Sequence, residues 1–143
     1  KYLAVSAAKG IASGLPETGT VGLRFTDAGL SEATLDPDVA AFNYTASKTV
    51  VMPKAGGSEN PAKATLSLNK ATGLVGGSFT LVEPSPLLSR RVIFQGMIVR
   101  PATGNSKAVG YFLLPQIPLT VETISTSPIL SGKVIVEQTP VAE

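Results

Sequence analysis

Apolar and polar residues alternate with a period of two along much of this chain. In ATLSL, Ala64, Leu66 and Leu68 fall on one face while Thr65 and Ser67 fall on the other, the pattern of a strand with one side on a core and one in water. Similar β-branched or aromatic runs occupy residues 20–26, 41–52, 62–68, 74–82, 91–100, 108–114, 119–124 and 132–137, so about eight strands are expected. In VIFQGMIV (92–99) the apolar character is nearly continuous, which predicts a central strand covered on both faces.

Fourteen glycines and eleven prolines punctuate these runs, and no window carries an unbroken apolar period of 3.6 residues. The expected fold is therefore all-β, with minor helix: a single antiparallel barrel or a two-sheet sandwich. The least regular stretch is 27–41 (DAGLSEATLDPDVAA), read as a long loop with one short helical turn after Ser31. Prolines 84, 86, 115, 118 and 128 bracket strands without interrupting them, a device that limits edge-to-edge association.

The stretch NKATGLVGGSFTL (69–81) poses a choice between a phosphate-cradling loop and a turn. A dinucleotide fingerprint needs GxGxxG before a helix, and a P-loop needs GxxxxGK followed by Ser or Thr. Here GxxGG leads into strand residues, so the turn reading holds: Gly73 takes a positive φ and Gly76-Gly77 forms a bulge or close crossing. ATG then G-S-F-T-L at 71–81 is echoed by ATG then G-Y-F-L-L at 102–114, which places Phe79 and Phe112 in the core. Hairpins repeated in this way build a meander.

With 143 residues the chain is one domain, 1–143, able to bury a core without staples. Cysteine and histidine are both absent, which excludes disulfides, Ser/His/Asp triads, Cys/His pairs and histidine zinc sites. Remaining chemistry would rest on carboxylates, lysine or tyrosine, and the expectation is a protein that is not an enzyme, with no catalytic residues and no cofactor. The twelve basic and ten acidic residues form no basic stripe, Arg90-Arg91 being the only adjacent pair, so nucleic acid is not an expected partner. No apolar run approaches the length of a membrane span. Low charge with abundant Thr, Ser, Ala, Gly and Val suits an exported or self-assembling β-protein. Lys1 at the start fits a domain excised or processed from a longer exported chain.

Four acids, Asp27, Glu32, Asp36 and Asp38, offer oxygen ligands for calcium, although D-P-D is also a turn former and the EF-hand pattern is missing. Asn43-Tyr44-Thr45 matches a glycosylation sequon inside an expected strand. Arg90, Arg91 and Arg100 are read as cross-strand partners of Glu83, Glu122 or Glu137 in preference to anion ligands. Tyr44, Arg100 and Tyr111 are the candidate lining of a ligand pocket. The loop 54–63 (KAGGSENPAK) reads as a flexible hairpin tip.

The succession TLSLNKATGLVGGSFTL, RRVIFQGMIV, AVGYFLLP and LSGKVIVE resembles the β-rich terminal domain of large secreted or surface proteins of environmental bacteria. About half the chain carries the likeness, through structural glycines and core aromatics; the first 60 residues match poorly. The resemblance implies a non-catalytic module, secreted or at the cell surface. The leading expectation is a structural or adhesive domain whose partners are other copies of itself or neighbouring domains; its sharper form is a repeating subunit of a surface filament or layer, with Lys1–Ser6 or Lys133–Glu137 adding a strand to a neighbour. The alternative is a ligand-binding module for a glycan, an apolar molecule or calcium. A carboxylate hydrolase would need two acids facing one cleft.

Overall fold

The computed structural model describes residues 21–30, 35–44, 50–69, 72–84, 87–99, 107–116 and 127–138. Among these residues are eight strands: β1 (Val21–Asp27), β2 (Val39–Tyr44), β3 (Val50–Val51), β4 (Thr65–Leu68), β5 (Leu74–Pro84), β6 (Leu87–Val99), β7 (Lys107–Pro115) and β8 (Ile129–Gln138). All pairings are antiparallel. Among the described residues there is no α-helix.

The sheet order is β3-β2-β1-β8-β7-β6-β5-β4. Every strand therefore lies beside its sequence neighbours, and the first strand pairs with the last, from Val21 opposite Gln138 to Asp27 opposite Gly132. This is an up-and-down barrel whose remaining seam lies between β3 and β4, which approach each other without a ladder. Of the barrel and the sandwich, the barrel is the architecture found.

Alternation fills its interior. Val21, Leu23 and Phe25 of β1, Phe79 and Leu81 of β5, Val92, Phe94 and Ile98 of β6, Phe112 and Leu114 of β7, and Val134 and Val136 of β8 all point inward. Phe25 sits at the centre, its ring centroid 4.5 Å from Phe79, 5.1 Å from Phe94 and 6.0 Å from Phe112. Phe79 and Phe112 are core residues, as their strand positions require.

A row across four strands explains two of the glycines. Phe94 pairs with Gly77 on one side and with Phe112 on the other, and Phe112 pairs with Gly132. A Cβ on Gly77 would stand 2.6 Å from the Phe94 ring, and one on Gly132 would run into the Phe112 ring. The Phe112 ring lies over Gly132, and at Gly77 a side chain would meet the Thr65 carbonyl of β4 even before the Phe94 ring, so this glycine admits both the ring and the neighbouring strand.

The turn reading of residues 69–81 also holds. Gly73 has φ +74°, its N–H donates to Asn69 O at 2.8 Å, and Leu74 O accepts from the Asn69 N–H at 2.9 Å.

Other expectations are corrected. The run 41–52 is two strands, β2 and β3, paired through Asn43–Val51 and Tyr44–Val50. The strand expected at 119–124 and the helical turn after Ser31 lie outside the described residues. β6 is central in the sheet but covered on one face only, because Ile93 and Met97 point to solvent at 70% and 54% exposure. In a barrel this small one face of every strand lines the core and the other has nothing to pack on.

The loop 52–64 is not a loose tip. Asn60 is 1% exposed. Its amide donates to Pro53 O (3.2 Å) and Ala64 O (3.0 Å), while its Oδ1 accepts from the Ala64 N–H (2.6 Å). Ala62 and Ala64, small and buried, let the loop settle over the barrel beside the β3–β4 seam. Ala62 O accepts from Thr80 N–H at 2.7 Å, which ties the loop to β5.

Candidate functional site

Two surface regions stand on different walls of the barrel. The first lies where β1 and β2 meet the loop 52–64, in a groove of about 480 Å³ lined by Arg24, Asp36, Asp38, Ser58, Glu59 and the backbone of β1 and β2. The D-P-D turn is held by its own carboxylates: Asp36 Oδ1 accepts from Asp38 N–H at 2.9 Å, and Asp38 Oδ1 accepts from Phe25 N–H at 2.7 Å. That second bond stands next to the β1–β2 register shift between Val21 and Leu23, where a backbone donor would otherwise lack a ladder partner.

Burial raises the Asp38 carboxyl above its ordinary value, and the charge of Asp36 adds to this; the Phe25 N–H and Arg24 pull the other way. Arg24 also stands 3.9 Å from Glu137 across β1 and β8.

Of the four calcium candidates, Asp36 and Asp38 line this groove together, Asp27 does not, and Glu32 lies outside the described residues. Asp27 Oδ2 accepts from the Thr26 hydroxyl. No group of three or more metal-ligating side chains gathers among the described residues. Two acids do share one groove, and Glu59, which the sequence did not single out, joins them. Both aspartates carry a backbone N–H on one carboxylate oxygen, so their first role is to shape the chain.

The second region is the outer face of β5 to β8. Ile93, Met97, Leu113 and Tyr111 are each about half exposed or more, and Leu74 and Ile129 join them. Two troughs follow the β6–β7 seam. One, of about 490 Å³, runs past Arg91, Ile93, Leu113 and Pro115. The other, of about 450 Å³, lies among Leu74, Met97, Val109 and the backbone of Gly96 and Gly110. Gln95 and Tyr111 border both, joined by a 2.8 Å bond from Gln95 Nε2 to Tyr111 Oη. Gly96 and Gly110 are directly opposed, and a Cβ on either would strike the other strand's backbone. Their lack of side chains lets β6 and β7 approach closely at this point.

Of the three pocket candidates, Tyr111 lies on this face, while Arg100 and the Tyr44 side chain are outside the described residues. Two of the three arginines fall within the described residues. Arg91 Nε donates to Ser78 Oγ at 3.0 Å, within a β4–β6 cluster that includes Thr65 Oγ1, 3.2 Å from Ser78 Oγ. Arg90 Nη1 donates to Pro115 O. Glu137 pairs with Arg24 of β1, while Arg100, Glu122 and the Glu83 side chain lie outside the described residues. Lys133–Glu137 cannot be a donor strand, since β8 is laddered to β1 on one side and β7 on the other. Lys1–Ser6 lies outside the described residues.

No helix among the described residues is long and apolar enough to cross a membrane. No family model, curated protein or solved structure matches the chain.

Proposed function

We propose that this is a non-enzymatic structural β-domain of an extracellular or cell-surface assembly, acting through contacts of its outer face with other copies or neighbouring domains. The observation that carries the reading is the exposed apolar face of β5 to β8, with Ile93, Met97, Tyr111 and Leu113 at its centre. Monomeric proteins scatter such residues singly, and a contiguous set marks a contact surface. The interior is occupied by Phe25, Phe79, Phe94 and Phe112, which favours this reading over a barrel that encloses a ligand.

Met97→Glu tests it. Met97 is outward and half exposed, so the variant keeps its fold, with a stability change within about 0.5 kcal/mol. Its self-association in sedimentation falls below that of the unsubstituted protein. Unchanged association would count against the outer face.

A second reading, a module that binds a cationic or polyhydroxylated ligand or calcium, draws on the groove of Arg24, Asp36, Asp38 and Glu59. Calcium titration by calorimetry, with Glu59→Gln as control, tests that alternative.

A further inference from the structure

The two regions lie on different walls of the barrel, the β1–β2 seam three strand positions from the β6–β7 seam. Their charges are of opposite sign. The described charged side chains along the outer face of β6 and β7 are cations, Arg91 and Lys107, with Arg90 at the end of the first trough, and Lys133 adds another on β8 beside Tyr111. Glu137 stands at the far end of β8 near Arg24. The groove on the other wall carries Asp36, Asp38 and Glu59 against the single cation Arg24. Lys54 and Lys63 belong to the same loop as Glu59 but do not line the groove.

We infer that the occupant of the apolar face is a second copy of this chain, docked head to tail: the face of β5 to β8 on one molecule meets the acidic groove wall of the next. This inference rests on the proposed assembly function and gives it a geometry. An isologous contact of the apolar face with itself would set the cations Arg91, Lys107 and Lys133 of one copy facing those of the other, and like charges juxtaposed at an interface are strongly unfavourable. A heterologous contact pairs them with carboxylates. Because each copy keeps one free wall, the contact propagates, as an open filament unless the rotation between copies closes it into a ring.

The partner surfaces also match in form. The acidic wall offers Ala40 of β2 and Pro61 beside its carboxylates, apolar area for Ile93, Met97 and Leu113 to cover. On the opposite side Arg91, held by Ser78, and Lys133 flank the apolar centre. Burying the centre supplies affinity, while the flanking charges set the orientation.

The experiment uses two variants of the full chain. Met97→Glu with Lys133→Glu spoils the apolar wall; Glu59→Lys with Asp36→Asn spoils the acidic wall and keeps the Oδ1 that accepts from Asp38 N–H. Circular dichroism and thermal melts establish that both remain folded. Each alone should lose polymerisation, with association weakened about a hundredfold or more. Mixed, they should form a 1:1 dimer and nothing larger, since each retains one intact wall and the two intact walls are complementary.

Polymerisation of both variants at the level of the unsubstituted protein would overturn the head-to-tail contact while leaving an assembly function standing. A monomeric unsubstituted chain would remove both. If that monomer binds phosphatidylglycerol vesicles through Met97 and Lys133, the occupant is an anionic lipid surface and the inference fails. Variants that stay monomeric when mixed would likewise rule out complementary walls.

Discussion

At the scale of single residues, polar side chains act mainly as fasteners. Asn60 supplies three bonds to a loop that has no strand of its own to lean on, and all three lie in or near the barrel interior. Asn60→Ala would strand the Ala64 N–H and two carbonyls away from water, costing about 3 kcal/mol; urea denaturation of the two proteins measures the difference. Asn60→Asp should be poorly tolerated as well, because the carboxylate has no donor to offer Pro53 O or Ala64 O.

Asp38 makes a pH-dependent prediction. Its folded-state carboxyl holds a proton more tightly than it does in the unfolded chain, owing first to burial and then to Asp36. Between the ordinary carboxylate value and the raised one, the folded protein therefore binds more protons than the unfolded protein. The Asp38 contribution to stability falls as pH climbs through that window and is constant above it. Asp38→Asn keeps an oxygen for the Phe25 N–H and removes the charge. Relative to the unsubstituted protein its melting temperature should rise as pH increases through the window, then level off. A difference independent of pH would contradict the burial argument.

At the scale of strands and turns, the glycine–phenylalanine row governs the packing of β5 to β8. Gly132→Ala places a methyl inside the Phe112 ring, a collision relieved only by moving β7 or β8, at a cost of about 2–3 kcal/mol. Gly132→Ala combined with Phe112→Leu should be less destabilised than the sum of the two single changes, because the shorter side chain vacates the contested space. Additive losses in thermal denaturation would show that the two residues do not share that space.

Much of this level was legible in the sequence. Period-two alternation placed Phe79, Phe112, Leu66 and Ala64 on the core side, and the ATG turn before β5 has the positive φ its glycine suggested. What was not legible has a common cause. In VIFQGMIV both faces are apolar, so periodicity alone cannot distinguish a doubly covered strand from a barrel strand whose outer face is bare. Likewise GKVIVE alternates in the same way whether it is an edge or an interior strand, and the β1–β8 closure that decides the matter joins residues more than a hundred positions apart. Arg24, Asp38 and Glu59 meet in one groove from three separate segments; D-P-D was visible as a turn, but no local pattern announces that meeting. Asn60 precedes a proline in a run of turn formers, a context that reads as solvent-exposed loop.

At the scale of the molecule, the chain closes a barrel by pairing its first and last strands, fills it with phenylalanine and leaves apolar side chains on one wall and carboxylates on the other. An interior so filled has little room for a guest. The outer surface is where the chain departs from an ordinary soluble domain, because Ile93, Met97, Tyr111 and Leu113 lie together there and burial on a partner is the favourable outcome for such a patch.

The most direct test is the native mass of the unsubstituted protein by light scattering across a concentration series, with electron microscopy of the same samples. Assembly through the outer wall predicts a mass that rises with concentration well beyond the 14.7 kDa of one chain, with linear polymers in the images. A mass fixed at one chain up to high concentration would contradict it.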